Sequence, residues 1–442
     1  MKKLYTYLPV LPVLALGAVL MHASSAQAKD CDWKVSGKIS SLNLLPELKT
    51  KFGSKSYLDN LEIKVSAKEK VFGIWGTWNA WDVVRSNSSG SFTASNSKNC
   101  DQRRFKVEVR FNDDDLEIHW AKSTQILNKD VLWYTVLDET SGEHPAGPVN
   151  LGEFTFGSNK LDLNDYDAHH HADIWQAYHL AIAHFKDMGS EFAFKDKIKI
   201  KYPHDSAIVG SQEASYANPI THNIYIHKDA TTDHFNLETL YHELFHVWIY
   251  NHFSGEGCLT ETLLLTGNTH GLVSDPCVAF NEGTAEWGMG QLRQALFGIP
   301  PELPFSRQTL KNAGGTNLLS VQRLDIGWQS LFSTITLPEL NKYNFNGTAK
   351  NISPLSPVPS GCSSPSNGFR KVLNVFLEHP DKGFSALLSR NETTMDSFLT
   401  RSNAILENFG TNSVSDLVVQ NLYLDLADTS KTTQPSNVLC GN

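Results

Sequence analysis

The chain has 442 residues and a formal net charge of −9 at neutral pH, so it carries no basic excess with which to hold nucleic acid. Its length predicts two or three domains, and a 40% share of hydrophobic residues is ample for buried cores. Beyond the N-terminus no segment approaches the roughly 20 consecutive apolar residues of a membrane-crossing helix.

Residues 1–28 carry the marks of a signal peptide: Met1-Lys2-Lys3, an apolar run from Leu8 to Leu20, and Ala26-Gln27-Ala28 as a small-residue cleavage site. Pro9 and Pro12 interrupt the run, which is too short to span a bilayer. The expectation is a secreted or periplasmic protein, with a mature chain beginning near Lys29.

From 29 to 159 the pattern is short and alternating: Leu61 to Val65, Val71 to Trp75, Trp81 to Val84, Ser91 to Ala94, Phe105 to Phe111, Leu116 to Trp120 and Val131 to Val136. Turn-rich pieces such as Ser86-Asn87-Ser88-Ser89-Gly90 separate these runs, which predicts an antiparallel β-sandwich. In its general pattern the region resembles the transthyretin-like and immunoglobulin-like modules attached to secreted enzymes. Gly147 to Asn164, rich in Gly, Pro, Asn and Asp, is expected to link this region to a second domain over 160–300.

His171 to Met188 follows with Ile174, Tyr178, Ala181, Ile182 and Phe185 at helical spacing, and His169, His170 and His171 are expected to form a solvated helix entrance, a second metal site being the alternative. Thr221 to Lys228 alternates as a half-buried strand whose edge is suited to an extended peptide. Residues from about 235 to 251 then form an amphipathic helix through Leu237, Leu240, Tyr241, Leu244, Phe245 and Trp248, with Thr231, Thr232 and Asp233 offering its start.

That helix carries His242-Glu243-Leu244-Phe245-His246. Two histidines four apart point the same way and can share a Zn²⁺ ion, and Glu243 between them is placed to take a proton from water. A catalytic zinc needs a third protein ligand. His252, ten residues after His242, has the spacing of the metzincin third histidine, but that pattern turns at a glycine where this chain has Ile249. A β-branched residue resists positive φ, so the helix should continue and carry His252 away. The other candidate is Glu282, 36 residues after His246, in a second helical stretch where Ala285, Met289, Leu292 and Leu296 are spaced to face a core.

Here the chain resembles the gluzincin metallopeptidases, in which a His-Glu-x-x-His helix is followed by a helix bearing a ligand glutamate. Asn281-Glu282-Gly283-Thr284-Ala285-Glu286 looks like that second motif, and the match spans about 75 residues from Thr221 to Leu296. By the resemblance His242, His246 and Glu282 are the metal ligands, Glu243 is the catalytic base, and Glu286 is the acid that orients a ligand histidine. The Gly-x-Met-Glu-Asn signature of gluzincin aminopeptidases is absent, which disfavours amino-terminal exopeptidase activity.

Six cysteines suit an oxidising compartment and permit 15 pairings; sequential pairing would join Cys31 with Cys100, Cys258 with Cys277 and Cys362 with Cys440, with zinc ligation as the rival reading of Cys258 and Cys277. After Pro300, Pro301 and Pro304, residues 301–442 are expected to be mainly helical around a Ser/Pro-rich loop from Ser353 to Ser366. The fold class is therefore α+β: an N-terminal antiparallel β-sandwich, then a zincin-like domain with a helical C-terminal half. The expected activity is zinc-dependent hydrolysis of a protein or peptide substrate, with His270, Tyr250 or a C-terminal residue as donor to the developing oxyanion. The rival expectation is a secreted binding protein whose zinc is only structural.

Overall fold

A computed structural model of the chain describes residues 30–71, 73–121, 133–158, 166–204, 215–228, 233–252 and 276–299, with isolated positions 325, 326, 328, 329, 332 and 373. Residues 1–29, which include the expected signal peptide, lie outside these residues, as do Cys258, Cys362, Cys440, His270 and most of 301–442. The class is α+β.

Two sheets make up most of the N-terminal part. In the first, β1 (Asp30–Leu42) pairs antiparallel with β2 (Lys55–Tyr57) and β6 (Ser91–Asn99) on one side, and parallel with β10 (Pro148–Phe156) on the other. In the second, β3 (Glu62–Val71) pairs with β4 (Ile74–Trp75), β5 (Asn79–Arg85) and β7 (Arg103–Arg110), and β7 with β9 (Tyr134–Asp138). Alternation decides what each strand buries: Phe105, Val107 and Val109 of β7 point inward while Arg104, Lys106 and Glu108 do not. The sheets meet through Trp33 of β1, whose ring stands edge-on to Trp81 of β5 at 5.8 Å and to Phe105 of β7 at 6.0 Å. The expected Cys31–Cys100 disulfide is present and ties the start of β1 to the end of β6.

Three expectations fail in this part. Val71 to Trp75 is not one strand, because Gly73 takes φ +81° and turns β3 back into β4. Gly147 to Asn164 is not simply a linker: its first half is β10, which buries Val149, Phe154 and Phe156 and passes Gly152 at φ +84°, opposite an irregularity in the β1 register. That pairing is parallel, so the first sheet is mixed rather than antiparallel, and the strands between β1 and β10 supply the long crossover that parallel neighbours need.

A third sheet runs β12 (Tyr216–Ala217), β13 (Asn223–His227), β11 (Ile198–His204) and β8 (Leu116–Ala121). β8 belongs by sequence to the N-terminal stretch, yet it pairs parallel with β11, placing Ile118 opposite Ile200. β13 is the strand expected over Thr221 to Lys228, but it lies inside the sheet. Over Ile224 and Tyr225 its outer edge is taken by β12, with Tyr216 stacked on Tyr225 at 4.6 Å, so that stretch is not open to an added peptide strand.

Helix α1 (Pro46–Phe52) packs near β2, and α2 (Tyr166–Met188) runs through the middle of the molecule. The entrance of α2 is not solvated. His170 and His171 are buried, with His170 bonded to the Tyr202 hydroxyl and stacked on Phe235, and His171 held between the Tyr134 hydroxyl at 2.8 Å and the Tyr202 carbonyl at 2.6 Å. Further along, Asp173 accepts the Leu44 and Leu45 amides at 2.6 Å each, at the start of α1. A single continuous core joins α2 to all three sheets and to α3 (Leu237–His252) and α4 (Pro276–Phe297). The described positions 325, 326, 328, 329, 332 and 373 are helical and buried.

Candidate metal centre

Helix α3 starts one turn later than Asp233 suggests. The Asn236 side chain accepts the Thr239 amide at 2.8 Å and caps it, while Asp233 caps the preceding turn through the Phe235 amide. From Leu240 to His252 every residue is buried, as befits a helix packed all round rather than on one face. Two reciprocal bonds fix it against α2: the Tyr178 hydroxyl donates to the Leu240 carbonyl at 2.8 Å, and the Tyr241 hydroxyl donates to the Ala177 carbonyl at 2.9 Å. At the far end Trp248 Nε1 donates to the Phe192 carbonyl, and Asn251 accepts the Lys195 and Asp196 amides that lead into β11.

Helix α4 lies close against α3 at Gly288, and close against Asp325 at Gly283. A Cβ on Gly288 would stand 2.3 to 2.4 Å from three ring carbons of Phe245. One on Gly283 would stand 2.3 Å from the Asp325 carbonyl oxygen. The glycines let one helix touch its neighbours on two sides.

This approach brings three ligand-type atoms together. His242 Nε2 and His246 Nε2 are 3.0 Å apart, and Glu282 Oε2 lies 3.2 Å from the first and 3.3 Å from the second. Among the described residues this is the one cluster of three or more His, Cys, Asp or Glu side chains with metal-binding spacing. Zn–N and Zn–O distances of about 2.0–2.1 Å put tetrahedral neighbours about 3.3 Å apart, so the triangle fits such an ion. The charges fit as well. Burial opposes protonation of His242, but Glu282, Glu286 and Glu243 outweigh it and hold the imidazole well above its ordinary 6.5. Burial likewise opposes ionisation of Glu282, and His246 and His242 overcome it, holding that carboxyl well below its ordinary range. Acid groups gathered about two imidazoles call for one cation, and a divalent metal answers that demand more fully than a proton.

The outer nitrogens of both imidazoles are occupied by α4. His242 Nδ1 faces Glu286 Oε1 at 3.1 Å, and His246 Nδ1 faces Asn281 Oδ1 at 3.1 Å. Each contact favours the proton on Nδ1 and leaves Nε2 free to ligate. Glu286 was expected beside a histidine. Asn281 was not; it reaches His246 from the position directly before Glu282.

His252 is not part of the cluster. α3 runs on through Ile249, and the His252 ring nitrogens lie 2.8 Å from the Trp248 carbonyl and 3.2 Å from the Glu191 carbonyl. Burial lowers its basicity. Tyr250, one of the expected oxyanion donors, accepts from Asn281 Nδ2 at 3.0 Å and stacks on His246. Glu243 is buried at 5% exposure. The second expected cysteine pair, Cys258 with Cys277, falls outside the described residues, as does the third.

No family model and no curated protein matches the chain. Among solved structures, a 9R-lipoxygenase from Cyanothece PCC8801 is similar with a TM-score of 0.15 and 11% identity, over 35% of this chain and 23% of that one. The chain thus spans less than a quarter of that enzyme's length, and a likeness of this size carries no argument about fold or activity.

Proposed function

We propose that the chain is a secreted, zinc-dependent metallopeptidase of gluzincin type, acting on a protein or peptide substrate within the chain rather than at its amino terminus. The observation that carries this reading is the convergence of His242 Nε2, His246 Nε2 and Glu282 Oε2 at 3.0–3.3 Å, with Glu243 on the same helix. The cysteines and the N-terminal apolar segment support export. No helix among the described residues is long and apolar enough to cross a membrane.

His242, His246 and Glu282 hold the ion, giving a site with one carboxylate and two neutral imidazoles. When bound, zinc supplies Lewis acidity, acidifying a water molecule and polarising a carbonyl. Glu243 accepts the proton of the attacking water and returns it to the departing amine nitrogen. Glu286 and Asn281 keep both imidazoles in the ligating tautomer. Glu243 lies in the buried stretch of α3 directly after the ligand His242.

The test is Glu243→Gln. It should retain one zinc per chain by metal analysis and lower hydrolysis of an unfolded protein substrate by at least about a hundredfold, the usual share of a general base. If wild type and mutant both bind zinc and are equally inert over a broad peptide library, the ion is structural and the chain is a binding protein.

A further inference from the structure

One hairpin of the second sheet is apolar on both sides. β3 turns back into β4 at Gly73, and the register sets Val71 opposite Ile74 and Lys70 opposite Trp75. Residues paired across strands share a face and successive residues alternate, so Ile74 and Trp75 stand on opposite sides of the hairpin. Ile74 is 74% exposed, while Trp75 and, shortly after it, Trp78 are half-buried.

Three cations stand over the two indoles. Arg104 Cζ lies 4.1 Å and Lys70 Nζ 5.8 Å from the centre of the Trp75 ring, and Lys68 Nζ lies 4.2 Å from that of Trp78. Lys70 is paired with Glu143 at 2.7 Å. Lys68 and Arg104 face each other directly across β3 and β7, and among the described residues neither has a carboxylate within ion-pair distance; Arg104 Nε donates to the Gly142 carbonyl at 2.8 Å. Like charges set opposite each other in a sheet oppose folding. In a chain that carries −9 overall, this pair runs against the general charge and is complementary to an anionic surface.

The order along the hairpin selects the kind of surface. Ile74 comes at the turn, Trp75 next, and Lys68 stands three residues back along β3 from Val71, about 10 Å at the rise of a strand. A protrusion entering a bilayer meets hydrocarbon, interface and headgroups in that order and over that depth. A sugar polymer would ask for rings on one face and would leave Ile74, on the other, unused.

We propose that the β3–β4 hairpin is a peripheral membrane anchor. It inserts Ile74 and the indoles of Trp75 and Trp78 into the surface of an anionic lipid bilayer, while Lys68 and Arg104 meet the headgroups. The anchor is independent of the metal centre and holds the chain at a membrane surface whatever its reaction.

The test is sedimentation of the exported chain, from Lys29 on, with vesicles of phosphatidylcholine alone and of phosphatidylcholine with phosphatidylglycerol, at low salt. Binding should be about twenty-fivefold stronger to the anionic vesicles, at about fivefold for each cation near the surface, and Lys68→Gln with Arg104→Gln should abolish that preference. Ile74→Asp should weaken binding at least about tenfold, the contribution of one buried aliphatic side chain. Ile220→Asp, at an equally exposed position (75%) in the turn between β12 and β13, should leave it unchanged. Wild type that ignores both vesicles overturns the anchor. So does Ile74→Asp that binds as wild type does, or Ile220→Asp that falls as far. Equal binding to neutral and anionic vesicles overturns it too, since the cations would then have no part. Retention on immobilised polyuronate without binding to either vesicle would assign the surface to an acidic sugar polymer instead.

Discussion

Gly288→Ala isolates the contact on which the α3–α4 approach depends. In an open helix the change should stabilise by about 1 kcal/mol, because alanine is the better helix former. Here the new Cβ would stand 2.3 Å from Phe245 Cδ2 and 2.4 Å from Cε2 and Cγ, against an ordinary carbon–carbon contact of about 3.5–4.0 Å. The helices must part by more than about 1 Å or the buried Phe245 ring must leave its rotamer, an overpacking that costs about 1–3 kcal/mol. The expected net effect is a loss of about 1–2 kcal/mol. Phe245→Ala alone should cost about 3–5 kcal/mol, and it deletes all three clashing atoms. In that background Gly288→Ala should therefore stabilise, by about 1 kcal/mol, and the sign of the effect reverses. Urea unfolding of the four proteins with m-values compared gives the coupling, expected at about 2–3 kcal/mol. Effects that add within about 0.5 kcal/mol would show that the two helices are not held at contact distance by the glycine. Zinc affinity should fall with Gly288→Ala alone, since parting the helices spreads Glu282 from His242 and His246.

Other outcomes follow from the same geometry. Burial raises the Asp173 carboxyl to about 7 from 3.8, against the pull of the Leu45 and Leu44 amides, so its contribution to stability is full below about pH 4 and is lost as pH rises through 7. Relative to Asp173→Asn, wild type should lose about 4 kcal/mol between pH 4 and pH 7.5, and a pH-independent difference in urea stability would sink this assignment. Chelation should lower the melting temperature, with zinc at a thousandfold over its dissociation constant contributing about 4 kcal/mol; a melting temperature indifferent to free zinc would contradict a resident ion. His252→Gln should leave zinc stoichiometry at one per chain while costing about 1 kcal/mol for its bonds to the Trp248 and Glu191 carbonyls, and loss of the metal would reinstate His252 as a ligand.

The centre was more legible in the sequence than its setting. His242 and His246 share a helix face by local spacing alone, and Ile249 told that the helix continues past them. The meeting with Glu282 needed the resemblance, because what brings α4 to α3 is Gly288 under Phe245, a tertiary contact. Asn281 escaped notice because a lone amide has no spacing signature. His170 and His171 looked like a wet helix entrance, since their partners Tyr202 and Tyr134 lie more than thirty residues away in the chain. Pairing partners were hidden for the same reason. Alternation in Leu116 to Trp120 announces a strand and its buried face, but not that the neighbour is β11, some eighty residues on.

The pairing of β8 with β11 makes the two halves of this molecule inseparable in a practical sense. A protease that nicked the chain after Phe156 and released everything before it would strip Leu116 to Ala121 from the sheet that backs α3, leaving β11 with a raw, hydrogen-bond-hungry margin. Removal of the N-terminal half would therefore take a strand out of the sheet that packs on α3.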